Sequence, residues 1–176
     1  MKNIKWAIAA ALIFLGSNNA YAEPIAKLAP LNSFGKQAFA AEGKTEEDVR
    51  SDIPSSEMVG LPAFPDSYFA GAGGDGDSID TLMLMSKADS AEVVAWYQKK
   101  LGGGWRNIPD LATEQLGEVA VFVKTDKKNI SAMDSLKYQQ IRISKVEKPE
   151  DTGFAAMMFD VSGIRSMINM TVKPMM

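Results

Sequence analysis

The stretch FAGAGGDGDSID, residues 69 to 80, holds four glycines and three aspartates and looks more like a site than any other part of the chain. A nucleotide-binding loop needs Gly-Lys-Ser or Gly-Lys-Thr after its glycines, and no lysine follows here. An EF-hand loop started at Asp75 would place Ile79 at a ligand position and Ser86 where a glutamate is needed. The pattern favours a flexible hairpin turn with glycine at positive φ. Weak calcium binding by the aspartates is the alternative.

Methionine is the second residue type with possible chemistry, and the chain has 11 of them. Thioethers are soft ligands that suit Cu(I). Met83 and Met85 alternate in a predicted strand and therefore share a face, whereas Met167 and Met170 point to opposite faces. Met83 and Met85 are thus the candidate metal ligands. The alternative is that these methionines fill a core, which is their usual place in strands.

Two absent residue types limit catalysis, because the chain contains neither cysteine nor histidine. Ser-His-Asp and Cys-His catalysis and the usual zinc sites are therefore excluded. Paired carboxylates can still hydrolyse glycosides, so a histidine-free hydrolase remains an alternative. The net charge of −3 gives no electrostatic reason to bind nucleic acid. No residue pattern predicts a cofactor.

The first 22 residues have the order of charges and apolar residues that is typical of a secretory signal peptide. Lys2 and Lys5 precede an apolar run from residue 6 to 15, and Ala20-Tyr21-Ala22 follows. The run is too short to span a bilayer of about 30 Å. We therefore expect a periplasmic or secreted protein with no stable membrane insertion after cleavage. An uncleaved membrane anchor is the alternative.

The remaining chain divides at a change of composition. Residues 23–56 have poor apolar periodicity and predict a loosely ordered arm or linker, within which Thr45 begins a helical turn that stops before Pro54. Residues 57–176 predict a single α+β domain. Its clearest helix begins at Asp89, with Glu92 in position for a capping box, and ends at the glycines of residues 102–104.

Strands are predicted on both sides of this helix. Residues 79–86 are largely apolar on both faces, as in an interior strand. Residues near 119–124, 140–144 and 164–172 alternate with a strand period, and Trp105 begins a further strand. Residues 153–161 fit either a strand or a short helix. Runs of strands around one helix predict a mostly antiparallel sheet with one main helix packed on one face.

Aromatic side chains crowd the start of the predicted domain. Phe64, Tyr68 and Phe69 lie between prolines and the glycine stretch, and Trp96 lies beside the apolar stripe of the helix. Aromatic residues dominate binding hot spots, so these four residues predict an interaction surface. The alternative is that they close the edge of the core.

The segments LPAFPDS and SKADSAEVVAWYQKKLGGGW together resemble a recurring bacterial envelope module. That module has a proline-framed aromatic segment, a strand, and a Glu-Val helix with an aromatic-Tyr pair that is followed by a tryptophan. The resemblance covers about residues 60 to 105. It implies an exported or lipid-anchored protein without an assigned activity, although this chain lacks the lipid-anchor cysteine.

The sequence therefore predicts an exported, non-enzymatic module that binds an envelope protein or a small ligand. A methionine-based copper-handling protein and a histidine-free carboxylate hydrolase are the alternatives.

Overall fold

The computed structural model of the protein describes residues 23–74 and 78–175. The predicted signal peptide, residues 1–22, lies outside these ranges. Within them the chain forms six α-helices and seven strands. The helices are α1 (Ser33–Ala41), α2 (Glu46–Ser51), α3 (Ser56–Val59), α4 (Ser90–Lys100), α5 (Ala132–Ser135) and α6 (Ala155–Met158). The strands are β1 (Lys27–Leu28), β2 (Tyr68–Gly73), β3 (Thr81–Ser86), β4 (Trp105–Asn107), β5 (Glu118–Lys124), β6 (Gln140–Lys145) and β7 (Ser166–Thr171).

All seven strands belong to one sheet, in the order β1-β2-β3-β7-β6-β5-β4. Every pair is antiparallel except β1 and β2. The predicted α+β fold with a mostly antiparallel sheet is therefore confirmed. Residues 153–161, which the sequence left open, contain the short helix α6. None of the helices in the described ranges is long and apolar enough to cross a membrane.

Helix α4 is the longest helix and packs on one face of the sheet. Its apolar stripe buries Val93 and Tyr97, and the Tyr97 ring lies 6.2 Å from the ring of Phe122 on β5. Asp89 occupies the N-cap position as predicted, but its side chain makes no capping hydrogen bond. The predicted capping box is therefore wrong, because the Asp89 carboxylate instead pairs with Arg165 Nη2 at 2.5 Å.

The two faces of the sheet follow from the strand register, since residues directly opposite each other on neighbouring strands share a face. Phe122 pairs with Ile141, which pairs with Met170, so these residues lie on the face that α4 covers, the helix face. Met83 pairs with Asn169, which in turn pairs with Arg142. These three residues lie on the other face, which we call the groove face.

Residues 23–56 form ordered structure and contribute to the main core, unlike the loosely ordered arm that the sequence predicted. Phe39 on α1 and Val49 on α2 are buried, as are Ile25 and Ile53 in the connecting segments. Each short element supplies only one or two core residues. The segment therefore shows no helical or strand periodicity in its sequence, although it is ordered. The predicted turn after Thr45 is confirmed, because the Thr45 side chain caps α2 in a capping box with Asp48.

One side chain fastens this N-terminal segment to the far end of the chain. Asn32 Nδ2 lies within 3.0–3.2 Å of the carbonyl oxygens of Ala156, Met157 and Phe159, around α6. Its Oδ1 accepts a hydrogen bond from the backbone N–H of Gly35 at 2.8 Å and so caps α1. Helices α1 and α6 therefore pack against each other.

Candidate functional site

The groove face carries a depression of about 410 Å³ that crosses strands β2, β3, β7 and β6, and we call it the groove. Its lining comes from residues 70–73 of β2, 81–83 of β3, 169–171 of β7, and from Arg142 and Phe154. With a spacing of about 4.8 Å between neighbouring strands, the four strands span roughly 14 Å. The groove therefore has the size of a small-molecule site.

The strand register explains why the groove is open at this place. One row across the sheet consists of Gly71, Met83, Asn169 and Arg142, each directly opposite the next. Gly71 has no side chain, so β2 leaves space above Met83. The neighbouring row contains Met85 and Met167, and both of these side chains are buried. Phe154 lines the groove just before α6 begins.

A buried ion pair holds the guanidinium of Arg142 at one end of the groove. Arg142 Nη1 donates to Glu118 Oε1 at 3.0 Å and to Glu118 Oε2 at 2.9 Å. The Glu118 side chain is only 5% exposed, against 23% for Arg142. Glu118 Oε2 also accepts from the Thr113 N–H at 2.7 Å, and Arg142 Nε donates to Gln140 Oε1 at 3.1 Å. The position of the guanidinium is thus fixed, and its charge is balanced by Glu118.

A bulge in β5 brings Glu118 to the groove face. Glu118 pairs with Ser144, whereas Ala120 pairs with Ile143, so the register shifts by one residue between them. In a regular strand Glu118 would share a face with Ala120 and Phe122, because side chains alternate. The bulged residue Val119 reverses this alternation and turns the carboxylate towards Arg142.

Four side chains in the groove carry a polar group that makes no hydrogen bond to a residue of the described ranges. Two of these groups are the hydroxyls of Thr81 and Thr171, and the other two lie on Arg142 and Asn169. Nη2 is the one nitrogen of the Arg142 guanidinium without a bond, and the Asn169 carboxamide has none either. No buried side-chain nitrogen or oxygen in those ranges lacks a partner, so the groups on Arg142 and Asn169 are accessible to solvent. Nη2 offers hydrogen-bond donors, and the Asn169 carboxamide offers both donors and an acceptor.

The groove therefore combines polar groups at its β6–β7 end with mostly apolar surface at its β2–β3 end. Met83 and the residues 70–73 of β2, which are only alanine and glycine, form the apolar surface, and Thr81 adds one hydroxyl at that end. Such a combination fits a molecule with one polar end and an apolar body.

Of the two methionines predicted as metal ligands, the structure places only Met83 at the surface. Met83 is partly exposed in the groove, whereas Met85 is completely buried. They share the groove face as expected from their alternation. Within the described ranges, no three acidic side chains come together as a metal-binding group.

Three of the four aromatic residues predicted as an interaction surface, Phe64, Tyr68 and Trp96, line a second, smaller crevice of about 370 Å³. Tyr68 and Trp96 are partly exposed there, and Phe64 is 8% exposed. Phe69, at 2% exposure, is a core residue. Lys87 Nζ lies 5.7 Å from the centre of the Tyr68 ring, within cation–π range.

Trp96 is held by edge-on contacts with the rings of Phe64 and Tyr97, at centroid distances of 5.5 and 4.8 Å. The Tyr97 hydroxyl donates to the carbonyl oxygen of Pro62 at 3.1 Å. Burial raises the pKa of Tyr97 above its usual value, so the hydroxyl keeps its proton and this bond persists. These contacts fasten the proline-framed segment to α4.

The glycine–aspartate stretch lies at the turn between β2 and β3, which pair as an antiparallel hairpin, so the predicted hairpin is confirmed. A Cβ on Gly74 would lie 2.1 Å from the carbonyl oxygen of Ser78, so only glycine fits there. Ser78 donates to Asp80 Oδ1 at 3.2 Å. Residues 75–77, which include two of the three predicted aspartate ligands, lie outside the described ranges.

Sequence reasoning missed Arg142, Asn169 and Glu118. The alternation of residues 140–144 indicated a polar strand face but gave no sign that it lines a groove. Comparison with known proteins adds no assignment: no family model matches the sequence, and no curated protein or solved structure is significantly similar to it.

Proposed function

We propose that the protein is a non-enzymatic binding protein that holds a small amphipathic molecule in the groove. The observation that carries this proposal is the pair of accessible, unbonded polar groups, Arg142 Nη2 and the Asn169 carboxamide, at one end of an apolar depression. Water satisfies such accessible groups in the free protein, and a ligand that displaces this water can take over its hydrogen bonds. Here the ligand would supply the missing partners.

The dimensions favour a small molecule over a protein partner. Ligand sites in proteins usually measure about 300–1,000 Å³ and are mostly apolar with few polar groups. The groove volume of about 410 Å³ lies within that range. A protein partner would instead need an interface of about 800 Å² on each side, larger than a groove of this kind offers.

We further propose that binding takes place outside the cytoplasm, in the periplasm or after secretion. Two observations support this location. The first is the N-terminal order of Lys2 and Lys5, an apolar run, and Ala20-Tyr21-Ala22. The second is the resemblance of residues 60 to 105 to an envelope module.

The two alternative functions have less support. Copper binding by Met83 and Met85 would require the completely buried Met85 to leave the core.

A carboxylate hydrolase would require two acids in one cleft. In the described ranges no acidic side chain lines the groove, but a separate cleft of about 800 Å³ is lined by five acids, Glu114, Glu118, Glu147, Glu150 and Asp151. Two of these acids are paired with cations, Glu118 with Arg142 and Glu147 with Lys145. Backbone N–H groups of Glu147 and Lys148 lower the pKa of Asp151, whereas a general acid needs a raised pKa.

The experiment is a titration with the uncharged dye Nile red, whose fluorescence rises in apolar surroundings. We expect saturable binding to the wild-type protein. Met83→Trp fills the apolar part of the groove and should weaken binding roughly tenfold, the equivalent of about 1.4 kcal/mol. Met157→Trp, at an exposed position outside the groove, is the matched control and should bind like the wild type.

Circular dichroism spectra must show that both variants fold. Absence of saturable binding, or equal weakening in both variants, would contradict the proposal.

A further inference from the structure

We propose that the groove selects uncharged amphipathic molecules with an amide end, and that it discriminates against carboxylates of the same shape. This inference rests on the proposed function and specifies its ligand class.

The first argument is the charge at the polar end of the groove. An arginine in an apolar groove ordinarily indicates a carboxylate ligand. Here both oxygens of Glu118 already accept from Arg142 Nη1, so the guanidinium charge is balanced within the protein. A ligand carboxylate would add a second negative charge beside the nearly buried Glu118 carboxylate. Like charges at short distance in a poorly hydrated site disfavour each other.

The second argument is the pattern of free hydrogen-bonding groups. Arg142 Nη2 can donate, and Asn169, directly opposite Arg142 on β7, can donate and accept. An amide end offers the complementary set, since its carbonyl oxygen accepts from Nη2 and its N–H donates to the Asn169 oxygen. A carboxylate has no hydrogen to donate, so the Asn169 oxygen would remain without a partner. A ligand that displaces water from this oxygen without replacing its hydrogen bond loses binding affinity.

The third argument is the place of the apolar part. In the row across the sheet, Asn169 lies between Arg142 and Met83. Gly71 lies on the far side of Met83. An alkyl chain that starts at the polar end therefore crosses Met83 and continues over β2. The groove spans roughly 14 Å across these strands, which is enough for an octyl chain.

The test compares octanamide with octanoate as competitors for bound Nile red near neutral pH. In the wild-type protein we expect octanamide to displace half of the dye at a concentration at least about fivefold lower than that of octanoate. The reason is that the carboxylate loses more hydration on binding. An equal or stronger effect of octanoate, with Nile red still bound saturably, would overturn this inference and leave the proposed function standing. Absence of Nile red binding would instead overturn the proposed function itself.

The variant Glu118→Gln provides the sharper test, because it removes the balancing charge and keeps the side-chain shape. The charge of Arg142 is then free to attract an anion, and we expect octanoate to gain about tenfold relative to octanamide. Glu57→Gln, an exposed position on α3, makes the same change in net charge and should leave the preference unchanged. An unchanged preference in folded Glu118→Gln would overturn the inference.

A second variant keeps the inference testable if Glu118→Gln does not fold. Asn169→Leu removes the carboxamide at a partly exposed position and leaves the ion pair in place. We expect it to weaken octanamide binding about fivefold and octanoate binding less, since the amide both donates to and accepts from Asn169, whereas the carboxylate can only accept from it. Equal loss for both competitors would contradict the hydrogen-bond argument.

Discussion

Replacing Asn32 by alanine should destabilise the whole protein, because this side chain joins α1 to the region around α6. The variant loses the cap on the Gly35 N–H, which is worth about 1 kcal/mol. The amide nitrogen has two hydrogens for the three carbonyl oxygens within reach, so about two further hydrogen bonds of roughly 1 kcal/mol each are lost. We expect the free energy of unfolding to fall by about 3 kcal/mol.

The assay is urea unfolding followed by far-ultraviolet circular dichroism, together with thermal unfolding. A loss of about 3 kcal/mol corresponds to a decrease in Tm of roughly 6–12 °C for a domain of this size. Asn32→Ser keeps an oxygen for the Gly35 N–H and should lose about 2 kcal/mol, the part due to the amide hydrogen bonds. Asn129→Ala, at an exposed position, is the control and should stay within about 0.5 kcal/mol. If the free energy of unfolding of Asn32→Ala changes as little as that of this control, Asn32 does not fasten residues 23–56 to the core.

Two further substitutions, at Gly35 on α1 and at Tyr97 on α4, test the packing of these helices. A Cβ on Gly35 would lie 2.1 Å from the carbonyl oxygen of Met158, so Gly35→Ala should lower the free energy of unfolding by about 1–3 kcal/mol in urea unfolding. Gly102→Ala has open space around its Cβ and should have little effect. Tyr97→Phe should cost about 1–2 kcal/mol, because the Pro62 carbonyl oxygen loses its donor. Burial raises the pKa of Tyr97, so wild-type stability should fall as the pH rises above about 10, the usual value in the unfolded chain, and this fall should be smaller in Tyr97→Phe.

The sequence predicts those helices and strands whose hydrophobic periodicity is visible within one continuous segment. Helix α4 shows its apolar stripe in Val93 and Tyr97, four residues apart, and β6 alternates Ile141 and Ile143 with polar residues. Each such pattern predicts which face is buried. The antiparallel sheet followed from the number of these strands and the short connections between them.

The N-terminal segment and the groove could not be predicted in this way. The core residues of the segment come from separate short elements, and their burial depends on contacts such as that of Asn32 with residues more than 120 positions away. The ion pair of the groove depends on a bulge, because simple alternation assigns Glu118 to the same face as Phe122. Only the register of the folded sheet brings Glu118, Arg142 and Asn169 together.

The position of β7 determines the order in which this sheet can be completed. Strands β1 to β3 form one side of the sheet and β4 to β6 the other, and both sides pair only with β7 between them. Because β7 comes after all these strands along the chain, a ribosome must synthesise every other strand before the two sides can join. The nascent chain therefore stays incomplete and open until late in synthesis.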